Sequence, residues 1–346
     1  MSVDFTDLVD LASDRLGASV VAASDEFFAP KERLLRLEPP VWRENEYTDR
    51  GKWMDGWETR RRRDVLPGDP EFSRAHDWCM VHLGARGTVR GIDVDTAFFK
   101  GNFPESCALD VCLMSGVPAA YDLARASWQE VIPRSPLRGD SHNLFPVENI
   151  ENIQAAHASH VRLRIFPDGG VARLRVHGDV VPDWELLRRR GDVDLAAALH
   201  GGHVVACSDM FFGSRNNLIM PGDARSMADG WETKRRRTPG HDWTIVRLGA
   251  SGTITRVEVD TRHFKGNAPG ACSLEVCALP AAPHGPAWDP AGAPEWQALL
   301  PRTPLEADRR HSFDTPLQPV SAVTHARFNI FPDGGVARLR LFGRPA

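Results

Sequence analysis

Residues 160–178 read HVRLRIFPDGGVARLRVHG, and residues 325–343 read HARFNIFPDGGVARLRLFG. At this offset of 165, 14 of the 19 positions are identical. In the first segment Val161, Leu163 and Ile165 alternate with Arg162 and Arg164. After Pro167-Asp168-Gly169-Gly170, Ala172, Leu174 and Val176 alternate with Arg173 and Arg175. Successive side chains of a strand point to opposite faces. Period-two alternation around such strong turn residues predicts a hairpin of two antiparallel strands, apolar on one face and arginine-lined on the solvent face.

Outward from this segment the duplication continues. HDWCMVHLGARGTVRGIDVDT (76–96) matches HDWTIVRLGASGTITRVEVDT (241–261) at 12 of 21 positions, again at offset 165. FKGNFPESC (99–107) matches FKGNAPGAC (264–272). Further upstream DGWETRRRR (55–63) pairs with DGWETKRRR (229–237) at offset 174, and VVAASDEFF (20–28) with VVACSDMFF (204–212) at offset 184. The first copy is therefore longer around PPVWRENEYTDRGKW and DVLPGDPEFSRA, as surface-loop insertions would make it. The boundary falls near 180, giving domains 1–180 and 181–346. Short alternating stretches between Gly and Pro turns predict an all-β chain, a β-sandwich or jelly roll per copy with minor helices. Asp4–Gly17 reads as a short amphipathic helix, and residues 184–202 as a linker with an equivalent lead-in helix.

The bulk properties narrow the function classes. At 346 residues each copy can bury a core of its own. A net charge of −4 gives no reason to expect a nucleic-acid partner. No run of eighteen apolar residues predicts a membrane span, and the acidic start MSVDFTDLVD lacks the basic region of a secretory leader. Six cysteines without a CxxC pair read as reduced buried thiols of a cytoplasmic protein. The chain carries no HExxH, His-x-His, GxGxxG or GxxxxGK[ST] pattern, so no cofactor is called for, and a divalent metal held by dispersed Asp, Glu and His is left open.

Candidate chemistry gathers in the duplicated motifs. Asp55, Glu58 and Arg60 in DGWETR recur as Asp229, Glu232 and Lys234; they are either an acid, a base and an anchor, or a structural loop around Trp57. Lys100-Gly101-Asn102 recurs as Lys265-Gly266-Asn267, and the glycine allows a bend that sets Lys and Asn toward one side. His160 and Arg162, like His325 and Arg327, stand two apart on one strand face, an acid beside a carboxylate anchor or simply part of a wet hairpin face. His76-Asp77 cannot act as a dyad, because adjacent strand residues face opposite ways. Asp25 and Asp209 are either turn formers or part of a ligand loop at one end of a jelly roll.

The ordered set SDEFF, DGWETRRRR, HDW, FKGN and HxRxxIFPDGG, present twice, resembles the allantoicase family over nearly the whole chain. The resemblance implies two tandem jelly-roll β-sandwich domains of galactose-binding-like type, hydrolysis of allantoate to (S)-ureidoglycolate and urea in purine catabolism, and a small-molecule partner, and it is compatible with a homo-oligomer. It directs attention to Glu58, His160, Asp55, Glu232 and His325 as catalytic groups. Lys100, Asn102, Arg60, Arg162, Lys265, Asn267 and Arg327 become the expected substrate contacts. Such a substrate needs an acid for the departing urea, a base for water and a cation for the carboxylate. The competing reading is a non-catalytic, carbohydrate-type binding module, since fold alone does not imply catalysis. The sequence leaves open how many sites the chain holds and whether a site lies between the copies.

Overall fold

The computed structural model describes residues 5–64, 71, 74–116, 118–147, 157–279, 295–315, 317–318 and 320–346. Contacts divide the chain into two compact units, Asp4–Val181 and Pro182–Ala346.

In the first unit everything is organised on one 19-residue strand, Asp77–Asp95. Its first half pairs with Ser19–Ala23 on one side and His157–Phe166 on the other. Its second half pairs with Arg173–Val180 and His142–Pro146. One strand thereby serves both layers of the sandwich. Ser106–Cys112 adds beyond His157–Phe166, and Gln129–Pro136 beyond that. Val9–Asp10 closes the other edge on Arg173–Val180. The alternating apolar positions seen in the sequence, among them Val81, Leu83, Ile92, Val94, Leu163, Ile165, Leu174 and Val176, are buried and form the core.

The second unit repeats this order. Asp242–Asp260 pairs with His203–Cys207 and Val323–Phe331, then with Arg338–Pro345 and Arg310–Phe313. Ala271–Cys277, Gln297–Pro304 and Val193–Asp194 complete the sheet. The all-β, duplicated jelly-roll architecture is thus the one the alternation predicts.

Three local expectations are corrected. The segments flanking Pro167–Gly170 do not form a hairpin with each other. His157–Phe166 pairs with the first half of the long strand and Arg173–Val180 with its second half, so the turn carries the chain between layers. Alternation specifies a strand's faces and not its neighbour. Nor is the arginine face uniformly wet. Arg173 is 2% exposed, its guanidinium within 2.8 Å of Asp55 Oδ2, and Arg338 is equally buried in the second unit. Finally, the lead-in is not one helix. Phe5–Asp7 and Asp14–Leu16 are single 3₁₀ turns around the strand Val9–Asp10. Asp10 Oδ1 accepts from the N–H of both Ala12 and Val176 at 3.0 Å, which ties the segment to the sheet edge. Before the second unit the helix is only Trp184–Arg189, and Asp194 repeats the Asp10 arrangement on Ala196 and Leu341.

Candidate active site

Four of the repeated motifs meet at one end of the first sandwich. Trp57-Glu58 forms a two-residue strand against Gly170-Val171, and the backbone of Glu58 also bridges Ala29. The fully buried Trp57 donates its indole N–H to the Asp25 carbonyl at 2.8 Å. Asp25 Oδ1 in turn accepts from the N–H of Phe27 and of Arg60, so the SDEFF loop is latched to DGWETR. The Gly170 N–H donates to the Asn102 carbonyl at 2.8 Å, which fastens the FKGN loop to the same corner. Gly170 is obligatory there: a Cβ would lie 2.0 Å from the buried ring of Phe99.

The outcome is a cavity of about 520 Å³. Phe28, Trp42, Met54 and Phe98 supply its apolar wall, and Lys52, Glu58, Lys100 and Asn102 supply its polar groups, with Gly101 leaving the loop bare. Among the described residues Glu58 is the one acid in this lining, and it is only 8% exposed. Asn102 Nδ2 donates to Glu58 Oε1 at 2.7 Å. Burial pushes the Glu58 carboxyl above the usual carboxylate range, and neither the Asn102 hydrogen bond nor the Arg61 charge offsets this fully. Lys100 is 77% exposed and stands 3.7 Å from Asp140.

Other expected site residues lie elsewhere. Asp55, three residues before Glu58, faces inward to Arg173 and also accepts from the Val41 N–H at 3.0 Å. Arg60 is bonded to Asp25 at 2.7 Å. Arg162 pairs with Asp110 at 2.8 Å and lies over the Trp128 ring. Arg327 makes the equivalent pairing with Glu275 at 2.6 Å. His160 is wholly buried between the long strand and Ser106–Cys112. Six residues of extended chain, about 20 Å, separate it from the Phe166 end of its strand, where the Pro167–Gly170 corner begins. Burial, reinforced by the neighbouring His82, lowers its pKa to about 4. His325, beside Arg247, is lowered to about 4 as well. Both rings are neutral at pH 7. Among the described residues no group of three or more His, Cys, Asp and Glu is placed to hold a metal ion.

The second unit keeps the polar pair without the walls. Asn267 Nδ2 donates to Glu232 Oε1 at 2.5 Å, and the Gly335 N–H donates to the Asn267 carbonyl at 2.8 Å. However, 27 positions separate Phe28 from Asp55 in the first copy, and only 17 separate Phe212 from Asp229 in the second. Trp42 lies in the stretch where the first copy is longer, and at the offset of 174 Lys52 aligns with Ser226. Ala228 stands where the first copy has Met54, and His263 where it has Phe98. Phe212, the equivalent of half-buried Phe28, is 63% exposed. Duplicated motifs could not point to Trp42 or Lys52, because both lie outside them. The mismatch in copy length was the available signal.

The allantoicase repeat family model matches residues 9–181 and again residues 193–346. This chain belongs to the allantoicase family. The probable allantoicase of Photobacterium profundum is 45% identical over 99% of the chain and 98% of the relative. The probable allantoicase of Pseudomonas aeruginosa strain UCBPP-PA14 is 47% identical over 99% of the chain and 97% of the relative. Among solved structures, the allantoicase of Saccharomyces cerevisiae superposes with a TM-score of 0.78 at 32% identity, covering 97% of this chain and 92% of the yeast chain. Family membership and the hydrogen-bonded Glu–Asn pair thus coincide in motifs that both copies carry.

Proposed function

We propose that this chain hydrolyses allantoate to (S)-ureidoglycolate and urea, and that the walled cavity around Glu58 is where it does so. The family supports the reaction. The observation that carries the site is a single buried carboxyl, raised in pKa, lining a cavity large enough for a small acid. The central carbon of allantoate bears two ureido groups, so the lone pair of one nitrogen assists departure of the other. Protonated Glu58 gives its proton to the departing nitrogen as that C–N bond breaks. The resulting carboxylate then takes a proton from the water that adds to carbon. Urea leaves neutral, a C–O bond replaces the C–N bond, and Glu58 ends protonated again. Asn102 holds Oε1 in place throughout. Lys100 and the Asn102 amide stand at the same lining for the polar ends of the substrate. Six free cysteines, five of them buried, suit a reducing cytoplasm.

The test is urea release from allantoate by the purified full chain, with and without a chelator, the latter arm reading whether a metal takes part. Glu58→Gln is expected to lower kcat about 10²- to 10⁴-fold, the range for loss of a positioned acid–base group. Because the acid must be protonated, kcat falls as pH rises through the Glu58 pKa, which lies above 4.5. Near wild-type turnover in Glu58→Gln removes this cavity from the reaction.

A further inference from the structure

Lys52 sits in the stretch between Phe28 and Asp55 that is ten residues longer in the first copy, on a two-residue ribbon in which Gly51-Lys52 pairs with Tyr47-Thr48, and Ser226 stands at the matching offset in the second copy. Its Nζ donates to the Arg43 carbonyl at 2.6 Å and to the Glu44 carbonyl. It lies 4.6 Å from the ring centroid of Trp42 and 4.9 Å from that of Tyr47. Carbonyls and aromatic faces position an ammonium without cancelling its charge. Among the described residues no carboxylate pairs with Lys52, whereas Lys100, the other ammonium of the cavity, has Asp140 beside it. An ammonium has three protons, and two are committed here. Lys52 is therefore a fixed, un-neutralised cation with a donor to spare, at the wall of the cavity that contains Glu58. Trp42, 5.9 Å from Phe98 between ring centroids, ties the loop that carries it to the rest of the apolar wall.

We infer that Lys52 is the specificity-determining cation of the site, receiving the carboxylate of the substrate and so selecting acids over neutral ureido compounds. This rests on the assignment of the Glu58 cavity as the active site. It confines carboxylate selection to the first copy, because the second has a shorter stretch there with Ser226 at the Lys52 offset. The arginines that sequence reasoning favoured for this task, Arg60 and Arg162, are already occupied by Asp25 and Asp110.

The test compares allantoate with its neutral carboxamide, read as substrate or as competitive inhibitor, on the full chain and on Lys52→Met, Lys52→Arg and Glu58→Gln. Lys52→Met is expected to lower kcat/KM for allantoate about 10- to 100-fold, mostly through KM, the range for losing one charge-assisted contact. Affinity for the carboxamide should change less than about threefold in the same variant, as no charge is lost there. Lys52→Arg should restore most of the preference for the acid, and thermal midpoints of both variants should match wild type. Equal losses for acid and carboxamide would mean the lysine only shapes the loop, and an unchanged preference for the acid would mean another group reads the carboxylate. Either outcome overturns the inference while Glu58→Gln remains inactive. Retained turnover in Glu58→Gln would instead remove the site assignment itself, whatever Lys52 does.

Discussion

Asp55 and Glu58 show how much turns on a single residue's direction. They are three positions apart in one motif, both acidic, both buried and both repeated in the second copy. Asp55 turns inward to Arg173, and Glu58 turns to the cavity. For Asp55 burial opposes ionisation, but the Arg173 hydrogen bond, the Val41 N–H and the charges of Arg173 and Arg36 together outweigh it and lower its pKa. Its stabilising contribution is thus present above its unfolded value near 3.8 and is lost only as pH falls through the lower folded value. Removing Arg173 leaves the buried Asp55 carboxylate with only the long 3.4 Å contact of half-exposed Arg36 and the Val41 N–H. Arg173→Met is therefore expected to destabilise the first unit by about 3–5 kcal/mol at pH 7, read by urea denaturation, with a smaller loss on acidification below the Asp55 pKa. An effect under about 1 kcal/mol would show the pair to be no better than a surface bridge. None of this was legible beforehand. Arg173 falls on the polar phase of its strand, and the partner that makes burial tolerable lies 118 positions away.

At the scale of elements, the position of Glu58 depends on the corner where Gly170 meets Phe99. The alternation around PDGG was legible, and so was the turn. Its partner strand was not, since Trp57-Glu58 is too short to show a period. The second unit contains the same corner, Gly335 against Phe264, where an added Cβ would again fall 2.0 Å from the ring. Overpacking a filled corner costs about 1–3 kcal/mol. Gly170→Ala and Gly335→Ala should lower the thermal midpoint of the chain by similar amounts. They should differ in activity at temperatures where both remain folded. Gly170→Ala shifts the strand that holds Glu58 and the loop that holds Asn102, and kcat should fall at least tenfold, because displacement on the order of 1 Å at a reacting group has that effect or more. Gly335→Ala should leave kcat within twofold of wild type, because the second corner lacks the aromatic and lysine wall of the first. Equal kcat losses would mean that both corners serve catalysis.

At the scale of the whole molecule, duplication made the fold legible and hid the site. Each pair of matched motifs reinforced the jelly-roll reading, yet matching also made Glu58 and Glu232 look interchangeable. What separates them is geometric: both keep an Asn partner, but only the first copy contributes the loop with Trp42 and Lys52. Rates per chain can tell one working site from two. If both copies turned over substrate independently and equally, Glu58→Gln and Glu232→Gln would each leave about half of kcat per chain, and only the double variant would be inactive. If the first copy works alone, Glu58→Gln leaves about 1% or less, given the 10²- to 10⁴-fold range for an acid–base group, while Glu232→Gln stays near wild type. The expected outcome is the second pattern, measured as urea released per chain at saturating allantoate. Strong loss in both single variants would require the two carboxyls to depend on one another, which independent sites cannot produce and which would return Glu232 and Asn267 to the catalytic set.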